Sequence, residues 1–125
     1  MTVYRYLLTG ALNLKNNMIK TISQNEFINY FMDSDTYKNN FSYDGLVALY
    51  DYLSLEEYND FEFDLVAICC DFTEYEDIKE VYQNYKGYGL SQEELNKIDE
   101  DTMREYINDN TILLEFNGGV IIQNF

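Results

Sequence analysis

Histidine, tryptophan and proline are absent from all 125 residues, and cations are scarce. Without histidine the chain lacks the commonest general base, the commonest metal ligand and every Ser–His or Cys–His nucleophile pair. No Gly-x-Gly-x-x-Gly, Walker loop, Gly-x-Ser-x-Gly or His-Glu-x-x-His run occurs either, so the usual nucleotide, hydrolase and zincin signals fail together. The expectation is a protein without catalytic activity and without a cofactor. Cysteine occurs only at the adjacent positions Cys69 and Cys70, inside an apolar run. There is no Cys-x-x-Cys spacing for zinc or redox work, and neighbouring strand residues face opposite ways, so a vicinal disulfide is strained. The pair reads as two reduced core residues of a cytosolic protein. No apolar stretch nears the ~20 residues of a membrane helix. Met1 to Asn13 carries one early cation and no long apolar core, so a signal peptide is not expected and the cytoplasm is.

What is present bounds the answer further. An apolar fraction of 46% and an aromatic fraction of 17% rule out disorder as the main state, and 125 residues suit one domain, 1–125, with one core. Eight Lys plus Arg stand against 23 Asp plus Glu, a net charge of -15. Phosphate binding needs a cationic face, so direct binding of DNA, RNA or an anionic membrane is not expected. The imbalance is local: residues 1–40 carry +1, residues 41–110 carry -15 and the last fifteen carry -1. Solubility needs a net charge of only ~2–8 in a small domain, and self-repulsion beyond that costs stability. So concentrated an excess invites a functional explanation.

The hydrophobic pattern reads as α+β: a small antiparallel or mixed sheet of three to five strands with helices packed against it. Thr2 to Leu8 reads as a strand, and Met18 to Ile22 as a second, giving an N-terminal hairpin. Ser23-Gln-Asn-Glu26 is a capping box for a helix carrying Phe27, Ile28, Tyr30 and Phe31 that stops around Asp33 to Asp35. Ser42 caps the next, with Leu46, Leu49, Tyr50 and Leu53 on one face. Ser54-Leu-Glu-Glu57 resembles a further capping box.

Phe61 to Phe72, FEFDLVAICCDF, predicts a strand that alternates at first and is covered on both sides from Val66 to Cys70. Thr73-Glu-Tyr-Glu76 predicts a capping box for a helix with Ile78, Val81, Tyr82 and Tyr85 inward and Glu76 and Glu80 in water. Gly87 and Gly89 end it. Ser91-Gln-Glu-Glu94 opens another, broken near Asp99, with Leu95, Ile98, Met103 and Ile107 buried. Asn117-Gly118 closes a C-terminal β-hairpin between Thr111–Phe116 and Gly119–Phe125.

One constellation remains. Acids and aromatics interleave from Tyr50 to Glu80, and the candidate partner-binding residues are Glu56, Glu57, Tyr58, Asp60, Glu62, Asp64, Glu74, Tyr75, Glu76, Asp77 and Glu80. Helical carboxylates three or four apart lie about 5–6 Å from each other, and such a row imitates part of a phosphate track. Tyr58 and Tyr75 would anchor the contact, since tyrosine offers rigid area and a hydroxyl at low entropic cost. The bland reading is a solvated acidic face, with about half of the thirteen tyrosines in the core. Asp33-Ser-Asp35 begins like a calcium loop, but Tyr37 and Lys38 stand where a ligand and glycine belong, so no metal site is assigned. A carboxylate-only magnesium site would leave no sequence signature.

Three stretches, Phe41–Tyr50, Glu62–Tyr75 with its Ala-Ile-Cys-Cys run, and Gly119–Phe125, together resemble a family of small acidic phage and prophage proteins with no assigned activity. The resemblance covers residues 41–125 and carries over no catalytic residue. It implies a context, the cytoplasm of a host bacterial cell, in which small acidic proteins serve as anti-CRISPR or antirestriction inhibitors. The partner expected is then a basic nucleic-acid-binding protein, whether CRISPR effector, restriction enzyme or nuclease, blocked by an acidic face acting as a nucleic-acid mimic. The alternative is an immunity protein or antitoxin that neutralises a basic nuclease toxin.

Overall fold

The computed structural model describes residues 22–55 and 64–125. The N-terminal strands expected over Thr2–Leu8 and Met18–Ile22 lie outside them except for Ile22, and Glu56 to Phe63 lie outside as well.

Helix α1, Gln24–Met32, begins on the expected capping box. The Glu26 N–H donates to Ser23 Oγ at 3.1 Å, and the Ser23 N–H donates to Glu26 Oε1 at 3.0 Å. Both backbone donors would otherwise be orphaned at the helix start. The helix ends at Asp33, inside the expected stop. Helix α2, Tyr43–Leu55, starts where Ser42 Oγ accepts the Gly45 N–H at 3.0 Å, and it buries Leu46, Leu49 and Leu53.

The segment that follows corrects the expected strand over Phe61–Phe72. Leu65–Asp71 is a helix, α3. Asp64 supplies the start signal, its carboxylate accepting the Ala67 N–H at 2.9 Å. Burial follows a helical repeat: Ile68 is buried, while Val66 and Cys70, four apart, are exposed. The β-rich composition of Leu-Val-Ala-Ile-Cys-Cys yields here to a cap and a tertiary contact. The cysteines are free and share a helix, and Cys70 is exposed rather than in the core.

Strand β1, Phe72–Tyr75, occupies the place expected for a capping box at Thr73–Glu76. Asp77 caps the next helix instead, α4, Ile78–Tyr85, by accepting the Glu80 N–H at 2.8 Å. Helices α5, Gln92–Asn96, and α6, Glu100–Asn110, are separated at Asp99, as the pattern predicts. Strands β2, Leu113–Phe116, and β3, Gly119–Gln123, form the C-terminal hairpin around Asn117-Gly118.

The sheet is antiparallel in the order β1-β3-β2. β3, at its centre, is buried at every position and is the strand covered on both sides. Side chains alternate across it. Ile121 faces one cluster with Phe72, Leu114 and Phe116, where α1, α2 and α3 contribute Phe27, Phe31, Leu46, Leu49 and Ile68. Val120 and Ile122 face the other with Tyr75 and Leu113, where α4, α5 and α6 contribute Val81, Tyr82, Leu95, Met103 and Ile107. A fully buried side chain of this size stabilises by about 1.5–3 kcal/mol, so the hairpin that supplies both clusters is the centre of the fold. Fold class and C-terminal hairpin match the expectation; the sheet is a middle layer, with helices on both faces.

Candidate partner-binding surface

Of the eleven residues expected to bind a partner, Asp64, Glu74, Tyr75, Glu76, Asp77 and Glu80 lie in the described structure. Glu56, Glu57, Tyr58, Asp60 and Glu62 lie outside the described residues. The five described carboxylates do not form a uniform exposed row, because four of them accept backbone hydrogen bonds. Asp64 caps α3 and Asp77 caps α4. Glu80 Oε1 accepts the Glu76 N–H at 2.9 Å, so Glu76 to Glu80 closes the start of α4. Glu74, projecting from β1, accepts the Ser42 N–H at 2.8 Å and so reaches the start of α2 from another element. A carboxylate at each of these helix starts also faces the positive end of the macrodipole.

Tyr75 points to the opposite face of β1 and packs with the second core cluster. Burial is the main reason its phenol is held above the ordinary tyrosine range, and its neighbours are Asn84, Tyr85 and Glu80. It therefore serves packing as much as contact.

Glu74, Tyr75, Glu76 and Glu80 do come together. They line an open cleft of about 520 Å³ with Lys38, Ser42 and Gly118. Glu76 continues into a second depression of about 300 Å³ with Asp77, Glu100 and Glu115. Asp77 and Glu100 in turn border a third of about 290 Å³, alongside Lys79 and Asn96. The shared residues join the three into one acidic relief around the β1–α4 junction.

Part of this surface was missed in sequence. Arg104 on α6 binds Glu100 at 2.8 Å, Asp101 at 3.0 Å and Glu115 of β2 at 3.0 Å. The hydrogen bonds it donates to Glu115 and Glu100 hold its guanidinium above the usual arginine range. The spacings Glu100–Arg104 and Asp101–Arg104 were visible signals for a helical ion pair. Glu115, eleven residues away, was not. Asp101, Glu105 and Asp109, four apart along α6, are all exposed and form a second acidic ridge.

Cys69 is half-buried, and burial, followed by the neighbouring Cys70, pushes its thiol up to about 11. Among the described residues no group of three or more Cys, Asp or Glu side chains converges to hold a metal ion. No described helix is long and apolar enough to cross a membrane. Comparison of the chain with family models, curated proteins and solved structures finds no significant match.

Proposed function

We propose that this chain is a phage-encoded inhibitor that binds a host nucleic-acid-binding defence protein, of anti-CRISPR or antirestriction type, and blocks its nucleic-acid channel with an acidic surface. The observation that carries the reading is charge without compensation. The described residues hold nineteen carboxylates and five cations. One of those cations, Arg104, is already shared among three acids.

The placement of the acids adds support. Asp109 stands in the last turn of α6, an end with no basic residue and Thr111 as its C-cap. Carbonyl ends disfavour a carboxylate there, so stability alone does not account for it. Such a surface is steered to a cationic channel, and the attraction weakens with salt. The resemblance of residues 41–125 to small acidic phage proteins supplies the biological setting.

The test is capture of partners from host lysate, elution in a salt gradient, and competition with DNA or RNA. A nuclease or CRISPR effector released by salt and displaced by nucleic acid is expected. The triple variant Glu76→Lys, Glu105→Lys, Asp109→Lys should lose inhibition while folding normally, because none of these carboxylates caps a helix. Full inhibition by that folded variant rejects the reading. A nuclease toxin encoded beside this chain as the captured partner would identify an immunity protein instead.

A further inference from the structure

The turn after α4 presents a tyrosine that the fold does not use. Tyr88 is 86% exposed, the most exposed of the large apolar side chains described. The turn that carries it is tightly held. The Gly87 N–H donates to the Tyr82 carbonyl at 2.7 Å, and the Leu90 N–H donates to the Gly87 carbonyl at 2.9 Å. Gly89 adopts φ +87°, a region that side chains rarely enter, and Ser91 then opens α5. The backbone of the turn is thus held at both ends, and the ring it carries stands in water.

Three residues before Tyr88, Tyr85 belongs to a partly exposed aromatic patch. Tyr85 stacks on Phe125 at 4.0 Å with 10° between the rings, and Phe125 remains 44% exposed. Phe125 also meets Tyr106 of α6 at 6.3 Å. The Lys86 ammonium stands 5.9 Å from the centre of the Tyr106 ring, so that ring already has a cation of this chain beside it. Asp109 follows Tyr106 by three residues and is exposed on the neighbouring turn of α6.

We infer that Tyr88, together with the Tyr85–Phe125 stack, is a docking surface for arginine side chains of a protein partner. A guanidinium is planar and weakly hydrated, so it stacks on an exposed ring while its edge pairs with a carboxylate such as Asp109. Net charge selects a cationic partner, and the aromatic patch selects arginine over lysine within it. The inference deepens the proposed inhibitor reading, on which its biological use rests, by naming the anchor of the contact and placing it on the α4–α6 side. The Glu76 cleft is then not the anchor.

The probes are hexa-arginine and hexa-lysine peptides titrated into the full chain at physiological salt, followed by amide chemical shifts. Hexa-arginine should bind more tightly and shift residues 85–90, the Tyr106–Asp109 turn and Phe125. Tyr88→Ala should weaken hexa-arginine about two- to five-fold, the range of one exposed cation–π contact, and leave hexa-lysine unchanged. Tyr88→Phe should bind as the parent does. Shifts confined to the Glu76–Glu80 edge, equal affinity for the two peptides, or no effect of Tyr88→Ala would each overturn the inference. A melting curve of Tyr88→Ala confirms that the fold is kept. The peptides require no host protein, so the two failures separate. Arginine-selective binding without any host target would reject the inhibitor reading alone, and inhibition undiminished in Tyr88→Ala would reject this surface alone.

Discussion

The Glu74 carboxylate occupies the space that a side chain at Gly45 would need. A β-carbon there would collide with Glu74 Oε1 and come within 3.0 Å of its Cδ. The same Oε1 accepts the Ser42 N–H at 2.8 Å, so the missing side chain and the cross-element cap form one arrangement. It ties the edge strand β1 to the start of α2.

This arrangement predicts strong coupling between the two positions. Gly45→Ala should be close to neutral, because the helix gain of about 0.5–1 kcal/mol is offset by the loss of a hydrogen bond when Glu74 is pushed aside. In a Glu74→Ala background the collision is gone and only Ser42 Oγ, 3.1 Å away, has to give, so the same change should stabilise by up to about 0.5–1 kcal/mol. Chemical denaturation of the four proteins measures it. Equal effects in both backgrounds would refute the coupling.

Asp64→Ala should cost about 0.5–2 kcal/mol, the usual range for a lost N-cap, and Asp64→Asn much less. Amide exchange would show the loss first over residues 65–71. If that segment were the strand its composition suggests, capping would not matter and both variants would behave alike.

Arg104→Ala leaves Glu100, Asp101 and Glu115 without their shared cation. The melting temperature should fall at low ionic strength, and the difference should shrink in molar salt as repulsion is screened. A deficit independent of salt would mean that the side chain acts by packing alone.

Glu94 and Asp99 are held below the ordinary carboxylate range, first by backbone hydrogen bonds from Ser91 and Thr102 respectively. A depressed folded-state pKa contributes stability above the unfolded value, and that contribution is lost as pH falls through the folded one. The unperturbed values are 4.5 and 3.8, so protection of α5 and the start of α6 should persist at pH 5 and fade below about pH 4. Site-resolved amide exchange is the measurement to use, because neutralising the other acids relieves repulsion in the same range. Protection unchanged down to pH 2 would mean that these caps carry no stability.

Alkylation at pH 8 should modify Cys70 well before Cys69. Cys70 is exposed, whereas burial pushes the half-buried Cys69 thiol up to about 11 and keeps it protonated. Peptide mapping by mass spectrometry distinguishes the two, and equal labelling would contradict the difference in burial between them.

Local chemistry made much of this protein legible in its sequence. Ser23 with Glu26, Ser91 with Glu94, the break at Asp99 and the Asn117-Gly118 turn all depend on hydrogen bonds or dihedral preferences within four residues. Each formed as read. The charge distribution is equally a property of the sequence, and so is its sign. Burial partners decided the rest. Phe61 to Phe72 is apolar enough for either a strand or a helix, and the contact of Ile68 with the first core cluster, together with the Asp64 cap, selects helix from Leu65 onward. The strand sheltered on both faces is Gly119–Gln123, because only the assembled helices set one cluster on each side of it. Glu74 to Ser42 and Arg104 to Glu115 span 32 and 11 residues. Composition and spacing carry no record of such pairings, so which acids brace helices and which stay open to a partner is a property of the tertiary structure.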